Sequence, residues 1–233
     1  MGVPVTGGPP LLVEIVGPAG GGKTAVLRTL AGDPRLRAGL RIHRGRHFLE
    51  ILAHSAALIP TAFGLLRHRP TSAKNGLLHF VRLRTLPSVV MLAMAEEPTR
   101  TILLDEGPVF SLGRLSVFQD ADRTPGAVQH QWRAELARWA TLLDAVILVD
   151  AADAVLRRRI RERSKEHQIK DGSDAEIAGF LRRYRQAYRE ILSAMTARGK
   201  VRVVELDTTD TSAGAAANRV IAELERLGLP GAA

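Results

Sequence analysis

An apolar run, Leu11–Val16, leads directly into Gly17-Pro18-Ala19-Gly20-Gly21-Gly22-Lys23-Thr24, and a helix-forming stretch follows. No other feature of the chain restricts its fold so tightly. The segment satisfies G-x-x-x-x-G-K-[ST] in full. Its glycines let the backbone fold around a phosphate chain, because side chains there would block close approach. Several N–H groups then converge as an anion nest, reinforced by the amino end of the next helix. Lys23 is placed to reach the β- and γ-phosphates of a nucleoside triphosphate, and the Thr24 hydroxyl to sit on Mg²⁺. Gly17 through Thr24 are thus the expected contacts of bound ATP.

The remaining pattern tells what surrounds this loop. Short apolar runs at Thr101–Asp105, Ala145–Val149 and Val201–Leu206 read as further strands, with a weak one near Leu40–His43. Thr24–Ala31 reads as a helix stopped by Gly32-Asp33-Pro34, and Gln129–Leu143, Ala152–Glu166, Asp174–Arg198 and Ser212–Leu227 read as helices. This alternation predicts an α/β fold, a parallel sheet covered by helices on both faces. Residues 1–10, rich in Gly and Pro, read as a flexible leader, and 11–233 as a single domain. The tract from Arg44 to Pro98 is Leu/Ala-rich and helical, interrupted by Pro60, Gly64, Pro70, Gly76 and Pro87. It is too long for an ordinary connection and reads as a substrate-side insertion.

Composition narrows the function classes. The chain has no cysteine, hence no disulfide, no thiolate nucleophile and no Cys-ligated zinc. That fits a cytoplasmic location. The net charge of +9 attracts polyanions, yet the arginines are scattered, so a nucleic-acid surface is not expected. The longest apolar runs, Leu11–Val16 and Val89–Ala95, are too short to span a membrane. Five histidines, His43, His47, His54, His68 and His79, fall in the insertion without a metal-ligand spacing.

Two more motifs carry chemistry. Thr101-Ile-Leu-Leu-Asp105-Glu106-Gly107 is an apolar strand ending in Asp, whose carboxylate is expected to hold Mg²⁺ through its water shell. Glu106, beside it at the carboxyl edge of the sheet, is the candidate general base. Arg157-Arg158-Arg159-Ile160-Arg161-Glu162-Arg163 runs on to Lys165, His167 and Lys170 before another helix begins at Asp174. A helix, a basic loop and a helix make a lid, at about residues 157–173, whose cations neutralise a transferring phosphoryl group. Arg159 and Arg163 are its best candidates.

Gly17–Thr24, Leu104-Asp105-Glu106-Gly107, and Val149-Asp150 followed by Leu156–Arg163 together resemble the nucleoside and nucleotide kinase branch of P-loop proteins. Val204-Glu205-Leu206-Asp207-Thr208-Thr209 looks like that group's last strand and adenine-side loop. The resemblance, to thymidylate-kinase-like and deoxynucleoside-kinase-like proteins, implies five parallel strands, Mg·ATP as phosphoryl donor and often a homodimer. It places Asp207 and Thr208 beside the adenine. Two departures stand out. Glu106 occupies the position where thymidylate kinases usually carry Arg. Ile42-His43-Arg44-Gly45-Arg46, with Glu50 beyond, stands where deoxynucleoside kinases usually have a Glu-Pro-type motif. Arg46, Arg67, Arg69, Arg82 and Arg84 are candidates for holding an anionic acceptor.

The expected activity is phosphoryl transfer from Mg·ATP to a small hydroxylated or phosphorylated acceptor, a nucleoside, nucleotide or related metabolite. A nucleotide-driven switch and an ATP-binding regulatory protein without an acceptor share the same loop. The chain lacks the guanine-specifying N/T-K-x-D motif of many switches.

Overall fold

The structure, a computed structural model, describes residues 10–40, 42, 55, 58, 70–118, 126–164 and 167–229. Leu12–Val16 (β1) is buried at every position, as a strand covered on both faces must be. Its alternate residues serve two separate cores. Leu12 and Val16 pack in one, Val13 and Ile15 in the other. Around β1 lie Leu36–Leu40 (β2), Thr101–Asp105 (β3), Ala145–Asp150 (β4) and Arg202–Asp207 (β5), all parallel, in the order β2-β3-β1-β4-β5.

Seven helices are described. Lys23–Leu30 (α1) and Ala213–Arg226 (α7) cover the face that carries Val13 and Ile15. Pro70–Glu96 (α2), Pro108–Phe118 (α3), Gly126–Leu142 (α4), Asp153–Arg161 (α5) and Asp174–Thr196 (α6) supply the larger core on the opposite face. α6 begins with a capping box: Ser173 Oγ accepts from Glu176 N, and Glu176 Oε2 accepts from Ser173 N.

Besides α3, which the sequence pattern did not mark as a helix, the observed elements differ from the sequence expectation in three places. The second strand runs from Leu36 to Leu40 rather than from Leu40 to His43. It is an edge strand in which only Leu36 is fully buried, so its hydrophobic pattern is faint. Gly39, at φ 75°, marks the shift of its register against β3. The second difference is in α2, which continues through Gly76 and Pro87 instead of breaking there. A helix-interior proline costs ~3 kcal/mol. Phe80, Leu83, Leu86, Val90 and Ala93 form a buried stripe at helical spacing along the same element, and each large apolar side chain contributes about 1.5–3 kcal/mol. Packing therefore outweighs the proline. Third, the α2 stretch Gly76–Glu96 is, by length and composition, apolar enough to cross a membrane, longer than the runs noted in the sequence, but half of it is buried. Of the Arg44–Pro98 tract, residues 44–54, 56, 57 and 59–69 lie outside the described residues, as do residues 1–9 of the leader.

Candidate active site

Gly17–Gly22 joins the carboxyl end of the central strand to the amino end of α1. A Cβ on Gly17 would stand 1.9 Å from the Val149 carbonyl oxygen of β4, so only glycine allows the loop to cross there. Gly22, at φ 89°, is the N-cap of α1 and occupies the left-handed region that glycine tolerates. Pro18 and Gly21 close the turn, with Gly21 N donating to Pro18 O at 3.3 Å. Lys23 Nζ reaches back over the loop to donate to the Gly17 and Pro18 carbonyls at 2.7 and 2.8 Å. Burial lowers its pKa to about 8, a shift opposed by Asp105 and reinforced by Arg163.

The loop is braced from the β5 side. The Arg159 guanidinium donates to the Gly20 carbonyl at 3.3 Å, to Thr208 Oγ1 at 3.2 Å and to the Thr208 carbonyl at 2.8 Å. Thr208 Oγ1 in turn lies within hydrogen-bond reach of the Gly21 and Asp150 carbonyls, at 3.1 and 3.0 Å. α5 thus brings its arginine across to tie the phosphate loop to the end of β5. Asp207 is turned outward; its Oδ1 accepts from Thr209 N at 2.7 Å, and hydrogen bonds from the Thr209 side chain and backbone lower its pKa. It lines a separate cleft of about 670 Å³ beside β4, α6 and α7.

The β3 side supplies carboxylates. Asp105 lies opposite Ile15 in the parallel ladder, two residues before the loop, and is nearly buried. Glu106 follows at φ 58°, the one non-glycine residue with positive φ among the described residues. Left-handed backbone at such a residue is uncommon and collects at functional sites. Its carboxylate pairs with Arg82 of α2 at 3.0 Å, and the Arg82 guanidinium lies 6.0 Å from the centre of the Phe110 ring. Below them Glu14, in the middle of β1, is fully buried. Its Oε2 accepts from Val109 N at 2.7 Å and its Oε1 from Phe110 N at 2.9 Å. Burial raises the Glu14 pKa to about 7 despite those bonds and the nearby Arg82.

These groups open on one cavity of about 590 Å³. Gly17, Ala19, Gly20, Gly22, Lys23 and Thr24 form its floor, Asp105 and Glu106 one wall, and Arg159 and Arg163 another. The far wall is aromatic: His167, Phe180, Tyr184 and Tyr188, with ring centroids 5.6, 4.6 and 5.9 Å apart in sequence, facing Phe110 of α3. Arg114 donates to the Tyr184 hydroxyl at 2.9 Å. Burial and the cations Arg163, Arg114 and Lys23 hold the His167 pKa below its usual value.

Several residues singled out in the sequence lie elsewhere. Arg84 is tied to Glu135 and Gln131 of α4, both at 3.3 Å. His79 is buried against Phe110, its pKa lowered to about 4 by burial. Arg46, Arg67 and Arg69, with His43, His47, His54 and His68, fall outside the described residues. Among the described residues no three His, Cys, Asp or Glu side chains gather into a metal-binding group. Sequence reasoning missed Glu14, Phe110, Arg114 and the α6 aromatics. A lone carboxylate inside the apolar run Leu11–Val16 was one available signal. Phe180, Tyr184 and Tyr188, four residues apart in a chain with 4% aromatics, were another.

No family profile and no curated protein matches the sequence. Solved structures do match in fold. Deoxyadenosine kinase from M. mycoides, with products dCMP and a flexible dCDP bound, superposes with a TM-score of 0.55 at 11% identity, over 93% of this chain and 100% of that one. The same enzyme with bound dATP gives 0.56 at 13% identity over 92% of this chain and 100% of that one. With bound dCTP it gives 0.53 at 12% identity over 93% of this chain and 100% of that one. This chain has the five-stranded parallel α/β fold of those deoxyadenosine kinase structures.

Proposed function

We propose that the protein transfers the γ-phosphoryl group of ATP to a small acceptor bearing a hydroxyl or phosphate, a nucleoside, a nucleotide or a related metabolite. The observation that carries this reading is the single cavity that joins the phosphate loop to Asp105, Glu106 and an aromatic wall. The cavity, of about 590 Å³, runs on from the loop to Phe180, Tyr184 and Tyr188. The fold shared with enzymes that hold dCMP, dCDP, dATP and dCTP supports a nucleoside-type acceptor.

In this reading the loop N–H groups and the amino end of α1 cradle the phosphates. Lys23 leaves the Gly17 and Pro18 carbonyls for the β- and γ-phosphates, and the added negative charge keeps its ammonium protonated. Thr24 and Asp105 line the cavity together and offer hard oxygen donors, a set that suits Mg²⁺, which favours one or two protein ligands plus phosphates and water. Bound there, the ion would neutralise charge on the phosphates. Glu106 accepts the proton of the acceptor hydroxyl as its oxygen attacks the γ-phosphorus and the bond to the β,γ-bridging oxygen breaks, releasing ADP. Arg82 holds Glu106 in place. Arg163 faces the cavity and meets the transferring group, with residues 157–173 acting as the lid, while Arg159 keeps the loop in register with β5. Thr208 braces the loop from the β5 side, and the adenine is proposed to lie towards the Asp207–Thr209 turn. The described part of the insertion, α2, contributes Arg82 on the acceptor side.

Acceptor-dependent ADP formation, screened across nucleosides, nucleoside monophosphates and other hydroxylated metabolites, tests the proposal. One class is expected to raise turnover well above basal hydrolysis. Hydrolysis stimulated by a protein or DNA and by no small acceptor would instead identify a nucleotide-driven switch.

A further inference from the structure

Glu14 is the only residue of β1 that is not Leu, Val or Ile. Leu104 and Val146 stand beside it on the neighbouring strands, and it has no exposed surface. An apolar residue would fill this place without the desolvation cost of a carboxylate. Both Glu14 oxygens are used, however, and on one target. They accept the N–H groups of Val109 and Phe110, in the first turn of α3, with a further backbone bond from Gly107. Those are amides that a helix leaves without an internal partner. Gly107 is pressed so close that a Cβ there would lie 2.8 Å from Glu14 Cδ. Glu106, its side chain paired with Arg82, is therefore the one backbone link between two fixed points: Asp105, held in the β3–β1 ladder, and Gly107, held on Glu14. Its left-handed backbone is the shape that link must take. Among the described residues, the other charged or titratable groups facing Glu14 are Arg82 from α2 and Tyr188 from α6.

We propose that Glu14 is a positioning residue for phosphoryl transfer: from inside the sheet its carboxylate fixes the Gly107–Phe110 turn and so the direction in which Glu106 enters the cavity. It acts through backbone amides, away from the phosphate loop. The inference rests on the phosphoryl-transfer reading given above.

Glu14→Gln keeps the shape but loses one acceptor oxygen, and its amide NH₂ opposes a backbone N–H. Glu14→Asp keeps the charge but is one methylene shorter. Two readouts separate the possibilities: steady-state kcat and KM on the acceptor that supports turnover, and hydrogen–deuterium exchange of residues 106–112 in the ligand-free protein. Glu14→Gln is expected to speed exchange in that segment ~10-fold or more with the rest of the sheet unchanged. Its kcat is expected to fall ~10-fold or more while KM for ATP stays within about threefold, and Glu14→Asp is expected to recover part of the loss. Wild-type kcat in Glu14→Gln overturns the inference, whether or not the turn has loosened. So does faster exchange throughout the sheet together with a matching rise in KM for ATP, which marks a residue that only stabilises the fold. If Glu14→Gln does not fold, the same criteria are applied to Glu14→Asp, with an unchanged kcat again refuting the inference. Failure of the underlying reading looks different: the wild type itself turns over no acceptor, while faster exchange in Glu14→Gln still reports the pinned turn.

Discussion

Burial of Glu14 makes the stability of the fold depend on pH in the sense opposite to that of a salt-bridged carboxylate. In the unfolded chain Glu14 titrates near its ordinary value of 4.5; in the fold, burial in the sheet raises this to about 7. Between those values the folded protein keeps a proton that the unfolded chain has released. The contribution of Glu14 is therefore fully present below pH 4.5 and is lost as pH rises through 7. At ~1.4 kcal/mol per pH unit the loss comes to about 3 kcal/mol. For a domain of this size that corresponds to about 6–12 °C in melting temperature. Urea unfolding of the wild type and Glu14→Gln, measured side by side from about pH 4.5 to 8, isolates the effect. Gln does not titrate, so its intrinsic cost is a constant offset, and every other ionisable group cancels in the difference. The stability of the wild type relative to Glu14→Gln is expected to fall by about 3 kcal/mol over that range. A difference that is flat with pH, or that rises, would refute the reasoning.

Three further outcomes are expected. Lys23→Ala should abolish the rise in melting temperature that ATP gives the wild type and lower turnover by ~100-fold or more, with circular dichroism unchanged. Gly17→Ala should also remove ATP-induced stabilisation, because its Cβ would stand 1.9 Å from the Val149 oxygen and the loop must move; titration calorimetry reads the loss directly. Arg159→Ala removes the bonds to Gly20 and Thr208 and should cost about 1–3 kcal/mol in chemical denaturation, with faster amide exchange in the phosphate loop.

Much of the sheet was legible because buried parallel strands announce themselves. Thr101–Asp105 was read to the residue, and the β4, β5 and later helix boundaries fell within a few residues of their places. Such strands are continuous apolar runs between glycines and helical patterns, and their identity needs no long-range information. The edge strand Leu36–Leu40 was misplaced because only one of its side chains is fully buried and the rest carry no alternation. α3 escaped notice because its amino end is satisfied by a carboxylate from β1, ninety-five residues away in sequence from Val109, rather than by a local cap. In the cavity, the glycines, Lys23 and Asp105 were visible because the chemistry demands fixed spacing. The aromatic wall was not, since Phe180, Tyr184 and Tyr188 read equally well as the core face of a helix, and all three are indeed almost fully buried. Arg159 was read from charge alone, whereas its hydrogen bonds to Gly20 and Thr208 depend on which strand follows which in space.

The strand order has a consequence for how such a protein can diverge. β1 lies in the middle, with β4 and β5 on one flank and β3 and β2 on the other. On the first flank α5 and the end of β5 clasp the phosphate loop through Arg159 and Thr208. On the second, α2 and α3 hold Glu106 through Arg82 and Glu14. The two flanks meet at the central strand, and bonds such as Arg114 to Tyr184 and Arg35 to Glu225 link them further out. Substitutions in α2 and α3 can reshape the Glu106 side of the cavity while Arg159 and Thr208 keep their hold on the loop. A sheet arranged this way divides the bracing of its central loop from the bracing of the wall that carries Glu106.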